Sequence, residues 1–147
     1  MDKIRNHAQT YGVGECTICH SSYVKSSSKQ QRTCSLRCRA ILQHRESYER
    51  RFWQNVNKDG PMVNLELGPC WIWIGSMVGD GQWQQYGRFG KRLATHIVLE
   101  MNGIILKSGE RACHRCDVSE CVRFLHLFVG SDRDNYWDAR TKGRRNH

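Results

Sequence analysis

Residues 1–15 are polar and predict a flexible lead-in rather than a regular element. A polar loop, "SSYVKSSSKQQ", follows and cannot build a core of its own. The first breaker-free run is Arg37 to Arg45, with Ser35 placed to cap it, and predicts a helix. "ESYERRFWQNVNKDGP" predicts a second helix ended by "DGP", because Tyr48, Phe52, Trp53 and Val56 recur at helical spacing. That stripe is most simply core packing. After a linker, residues 62–69, the run "CWIWIG" predicts a strand. "GDGQWQQYGRFG" predicts a Gly-rich turn and a second strand, together a hairpin. "LATHIVLEMNG" predicts a short apolar helix stopped near Asn102-Gly103. "CHRCDVSECVRFLHLFVG" predicts short strands around tight turns. "SDRDNYWDARTKGRR" carries strong helix-start signals: Ser131 can cap, Asp134 stands three residues on, and Asp132 suits the positive end of the dipole. Gly143 suits the stop.

These elements leave little apolar surface for 147 residues: the hydrophobic fraction is 39% and mean hydropathy is -0.67. Small domains bury a smaller share of their surface, so burial alone is a weak foundation here. Eight cysteines and seven histidines supply candidate staples. The cysteines fall in short-spaced pairs, and Met1 is followed by Asp2, Lys3 and Arg5 with no apolar leader. That combination predicts metal binding rather than disulfides, no membrane span, and a reducing, cytoplasmic setting. The net charge of +9 attracts polyanions, nucleic acid first among them; a solvated face or acidic lipid is the alternative. The basic excess concentrates in residues 1–51 and in the tail, at Arg140, Lys142, Arg144 and Arg145.

The first metal candidate is Cys16-x2-Cys19 with Cys34-x3-Cys38. Two close pairs across a polar loop suit a tetrahedral zinc site, each pair gripping one side of the ion. The metal would organise a segment that lacks a core. His20 and His44 read as surface residues beside it.

The second candidate is less determinate. Cys113, Cys116, Cys121 and His126 form C-x2-C-x4-C-x4-H, a complete knuckle by spacing, yet Cys70 waits upstream and His114 lies inside the first pair. A histidine beside a zinc hairpin, with a helix opening directly after it and Asn135 about one turn in, suits phosphodiester hydrolysis. A neutral imidazole takes a proton from water near pH 7. An amide oxygen is a hard ligand for Mg2+, which keeps its waters and takes phosphate oxygens. The bland alternatives are a His114 that bonds backbone and an Asn135 that stabilises its own helical turn. Trp71 and Trp73 alternate with Ile72 and Ile74 and read as core. Trp83 and Trp137 are open to core or base stacking.

In order along the chain, "RFWQNVNKDG", "CWIWIG", "YGRF", "EMNG", "CHRCD", "CVRFLHL" and "GSDRDN" resemble the HNH, or ββα-metal, nucleases, and within them the phage-type and His-Cys box homing endonucleases. The resemblance spans roughly residues 50–140. It implies a structural zinc on Cys70, Cys116, Cys121 and His126, with Cys113 left out. It implies His114 as general base, Asn135 as ligand of a catalytic Mg2+ (Mn2+ substituting), and Arg88 of "YGRF" as a contact to the scissile phosphate. The four-cysteine segment with "CSLRCRA" resembles small zinc modules found ahead of phage HNH domains. The chain departs from the pattern in two places. Arg123-Phe124 replaces an Asn-Pro pair, so Arg123 offers a phosphate contact. Cys113 replaces an acidic or histidine metal ligand; it is soft, so a single-Asn metal site is expected. His96 of "ATHI" either meets DNA or caps the core.

The expected protein is a small, zinc-stabilised α+β chain. A zinc-binding, DNA-binding module with a basic helix (1–45) precedes an HNH nuclease domain (46–147). Its expected activity is metal-dependent hydrolysis of double-stranded DNA, leaving 5′-phosphate and 3′-hydroxyl ends. Symmetric double-strand cutting would favour a homodimer. The rival expectation is a non-catalytic zinc-knuckle protein that binds single strands by aromatic stacking. The two differ on whether Cys70 or Cys113 holds zinc.

Overall fold

A computed structural model describes residues 11–63, 65–79 and 85–143. The Gly-rich turn with Trp83, the lead-in with Lys3 and Arg5, and the tail with Arg144 and Arg145 lie outside the described residues. Among the described residues the chain is a small α+β protein with three helices and several small sheets. It divides into two units, Met1–Arg51 and Phe52–His147.

In the first unit, β1 (Val13–Glu15) pairs antiparallel with β2 (Ser22–Val24). The polar lead-in predicted for residues 1–15 therefore ends in a strand. The turn between the strands closes on backbone bonds from Cys16 N to the Ser21 carbonyl at 3.0 Å and from His20 N to the Cys16 carbonyl at 2.9 Å. His20 takes a left-handed conformation there, with φ at 59°. The polar loop is organised by Gln31. Its Oε1 accepts from Ser26 N and Ser27 N at 3.0 and 3.2 Å, and its Nε2 donates to the Thr33 carbonyl at 2.9 Å.

Helix α1 (Leu36–Trp53) begins where the cap predicts: Ser35 Oγ accepts from Cys38 N at 3.2 Å. It runs on through what the sequence divides into two helices and carries the chain into the second unit. It also stops short of "DGP". Val56–Asn57, expected in helix, is strand β3, paired antiparallel with β4 (Ile72–Trp73). The reason is a long-range partner. Ile74 N donates to the Asn55 carbonyl at 2.8 Å, Gly60 N to the Cys70 carbonyl at 3.1 Å, and Cys70 N to the Pro61 carbonyl at 3.0 Å. A ladder supplied by residues 70–74 satisfies the backbone that the helix would have satisfied locally.

The predicted hairpin also changes partner. β6 (Gln85–Phe89) pairs with β5 (Met77–Gly79) and β7 (Arg92–Leu93), not with the "CWIWIG" strand. Helix α2 (Ala94–Met101) buries Ala94, Ile97, Val98 and Leu99 and ends at Asn102 and Gly103 as predicted. β8 (Arg111–His114) and β9 (Leu127–Gly130) form a hairpin, and α3 (Asp132–Thr141) follows. The core centres on Phe52, whose ring centroid lies 5.0 Å from that of Trp73 and 5.5 Å from that of Phe89. Trp73 is core, as its alternation predicts.

Candidate functional site

The thiols of Cys16, Cys19, Cys34 and Cys38 all lie within 4.8 Å of one another. The β1–β2 turn presents the first pair; the entry and first turn of α1 present the second. Cys19 and Cys34 are 3.5 Å apart and Cys34 and Cys38 3.7 Å. A tetrahedron with metal–sulfur bonds near 2.3 Å has edges of about 3.8 Å, so this spacing suits zinc. The charge distribution agrees. The Cys19 backbone amide pulls Cys16 down to about 6. The hydrogen bond with Cys19, helped by burial, pushes Cys34 up to about 12. Thiols packed this closely share little negative charge unless a cation joins them.

The second group is Cys70, Cys116, Cys121 and His126, all buried, with donor atoms again within 4.8 Å of one another. His126 Nδ1 stands 3.5 Å from both the Cys70 and Cys121 sulfurs. Its other nitrogen, Nε2, donates to the Leu67 carbonyl at 2.9 Å, which orients the ring and turns Nδ1 toward the thiols. Cys70 reaches this group through long-range backbone pairing. Ile72 bridges Cys121, Trp73 N donates to the Glu120 carbonyl at 2.9 Å, and Val122 N to the Trp71 carbonyl at 2.8 Å. Arg123 braces the same junction, donating from Nη1 to the Pro69 carbonyl at 2.8 Å and lying over the Trp71 ring. The hydrogen bond from the Cys121 thiol pulls Cys116 down to about 5; burial pushes Cys70 up to about 11. Both groups could hold a metal ion such as zinc.

Cys113 belongs to neither group among the described residues. It is buried on β8, with its sulfur 3.9 Å from the Arg111 carbonyl. One residue on, His114 closes the same strand. Its Nε2 lies 2.9 Å from the Cys121 carbonyl oxygen. A carbonyl can only accept, so the proton sits on Nε2 and Nδ1 keeps its lone pair. Burial holds the imidazole below its ordinary value, which favours the neutral ring. Tyr86 stacks on it, ring planes 20° apart.

His114 lines a cavity of about 860 Å³ together with Tyr86, His96, Cys113, Asp132 and Asn135. Asn135 is carried there by the first turn of α3, whose capping box is complete: Asp134 N donates to Ser131 Oγ at 3.2 Å and Ser131 N to Asp134 Oδ2 at 2.8 Å. The far end of that helix is tied to the segment between β8 and β9 that carries Cys116 and Cys121. Lys142 Nζ donates to the Arg115 carbonyl at 2.9 Å and meets Asp117 at 3.2 Å. Arg88, exposed on β6, shares the Tyr86 face by strand alternation but does not line the cavity. His96 does line it, from α2, and burial lowers its pKa too. Sequence reasoning missed Tyr86, the Leu67 carbonyl and the Lys142 tie. For Tyr86 a signal was present, since it stands two residues before Arg88 on the same strand face; the other two depend on tertiary pairing.

No family model, curated protein or solved structure matches the chain. No helix among the described residues is long and apolar enough to cross a membrane.

Proposed function

We propose that this chain is a metal-dependent endonuclease of the HNH class, acting on double-stranded DNA. One observation carries the reading: His114, proton fixed on Nε2, and Asn135, on the first turn of α3, open onto the same cavity beside a tetrad suited to zinc. The net charge of +9 and the ordered resemblance to HNH nucleases support it.

In this reading both zinc sites are closed and structural. Nδ1 of His114 takes a proton from water, and the resulting hydroxide attacks phosphorus while the bond to the 3′ oxygen breaks. The Asn135 side-chain oxygen would hold Mg2+ or Mn2+, which would supply positive charge to offset the charge growing on the phosphate and the leaving oxygen. Tyr86 and the Cys121 carbonyl keep the His114 ring from turning. Arg88 would contact phosphate at the edge of the site. The departing 3′ oxygen takes a proton from a second water, so the products carry 5′-phosphate and 3′-hydroxyl ends.

The test is nicking of supercoiled plasmid in Mg2+ by the native protein and by His114→Ala. The variant should lose roughly a hundredfold or more in rate. Equal cleavage by the two proteins would sink the mechanism.

A further inference from the structure

Helix α1 has a face that neither the first zinc group nor the proposed reaction uses. Between Leu36 and Arg51 only Cys38 and Leu42 are buried. Arg37, His44 and Arg51 follow one another at seven-residue steps, so they stand in a row on one side of the helix, about 10 Å apart. All three are exposed. Ile41 lies between the first two and is 45% exposed; Tyr48 lies between the last two. Arg37, His44 and Arg51 lie about 100° or more round the helix from Cys38 and Leu42, while Ile41 and Tyr48 form the row's edge on the side of the buried Phe52. The helix has two acids, Glu46 and Glu49, and neither falls in the row. Glu46 meets Arg32 at 2.8 Å and Glu49 meets Arg45 at 3.8 Å, on other sides of the helix.

We propose that the row Arg37, Ile41, His44, Tyr48 and Arg51 is a docking face for duplex DNA and seats in its major groove. Three arguments favour this occupant. Positive charge on a side of the helix that carries neither of its own acids complements a polyanion. The B-form major groove admits an α-helix, and an exposed isoleucine among basic residues suits a thymine methyl at its floor. A metal held by the first group would fix the helix start through Cys34 and Cys38 and so present the face rigidly. An RNA duplex has a major groove too narrow for a helix, which separates the two polyanions. The inference rests on the proposed function only for its choice of a nucleic-acid partner; docking does not require cleavage.

The experiment measures binding of the full zinc-loaded chain to a short labelled DNA duplex by fluorescence anisotropy, without Mg2+, over a salt series. R37Q/H44Q/R51Q removes the row. R39Q/R50Q removes two charges from another side of the helix. At about 0.1 M salt the first variant should bind roughly tenfold or more weakly, with a salt slope flatter by about two; the second should change roughly threefold or less. Ile41→Glu, at an exposed position, should also weaken binding while zinc content and helicity stay native. RNA duplex of the same sequence should not distinguish the two arginine variants. Equal losses in both variants, or native binding by R37Q/H44Q/R51Q and Ile41→Glu, would overturn the docking face. DNA docked normally but never cut would count against the nuclease alone, and cleavage retained without the row would count against the docking face alone.

Discussion

Nε2 of His114 and the carbonyl oxygen of Cys121 stand 2.9 Å apart. Cys121 thus presents its sulfur to the candidate metal group and its backbone to the proposed base, so loss of a metal there would also disturb the base. Cys70→Ala should bind about one zinc per chain where the native protein binds about two, and should lose nicking activity with it. Cys113→Ala should keep both ions. Zinc released on thiol modification and counted with a colorimetric chelator decides between them; loss of zinc from Cys113→Ala would restore the knuckle reading.

Phe52 is fully buried and packs on Trp53, Trp73 and Phe89. Phe52→Ala should destabilise the protein by about 3–5 kcal/mol, since few neighbours can collapse into the space. Urea denaturation followed by tryptophan fluorescence would read this directly.

Two glycines on β6 and its turn separate steric from conformational cost. A Cβ at Gly87 would stand 2.5 Å from Trp73 Cγ, and that indole is held by Phe52 and by its bond to the Ser76 carbonyl. Gly87→Ala should cost about 1–3 kcal/mol by overpacking. Gly90 has open space around it but a φ of +62°, so Gly90→Ala should cost about 1 kcal/mol through the backbone alone. Thermal melting of the pair should rank Gly87→Ala below Gly90→Ala.

Asp134 is held below the usual carboxylate range, first by the Ser131 hydroxyl and then by the Ser131 backbone amide. A lowered folded value means that its support for α3 is present above the ordinary aspartate pKa and is lost as pH falls through the lowered one. Ser131→Ala should cost about 1 kcal/mol near neutrality. It should also flatten the acid limb of the stability curve, measured by denaturation at stepped pH. An unchanged acid limb would show that the box contributes nothing to the titration.

Where structure depends on neighbours in sequence, the chain was legible. Ser131 and Asp134 announce their helix because a capping box closes within four residues, and Ser35 announces α1 by a single local bond from Cys38 N. The first cysteine group could be read from spacing, since each pair sits on a local turn. Val56 could not: its helical spacing with Phe52 is real, and only the distant ladder of residues 70–74 draws it into a strand. Cys70 is the same case. Spacing alone offered Cys113 as the fourth donor, and the resemblance, not local chemistry, pointed upstream. The deciding contact, Ile72 against Cys121, joins segments that no short window contains.

Through that contact, a metal held by the second group would take a role in how the chain folds. A knuckle on Cys113 would clip together a short hairpin. A metal shared with Cys70 instead ties off a loop of about 46 residues, and loop-closure entropy makes such a tie more stabilising than a local one. The ion would act as a removable cross-link, formed late because its donors meet only after β4 has docked, and undone by a chelator where a disulfide would need a reductant. Zinc supply would then set how much of the chain reaches a state in which His114 is held at all.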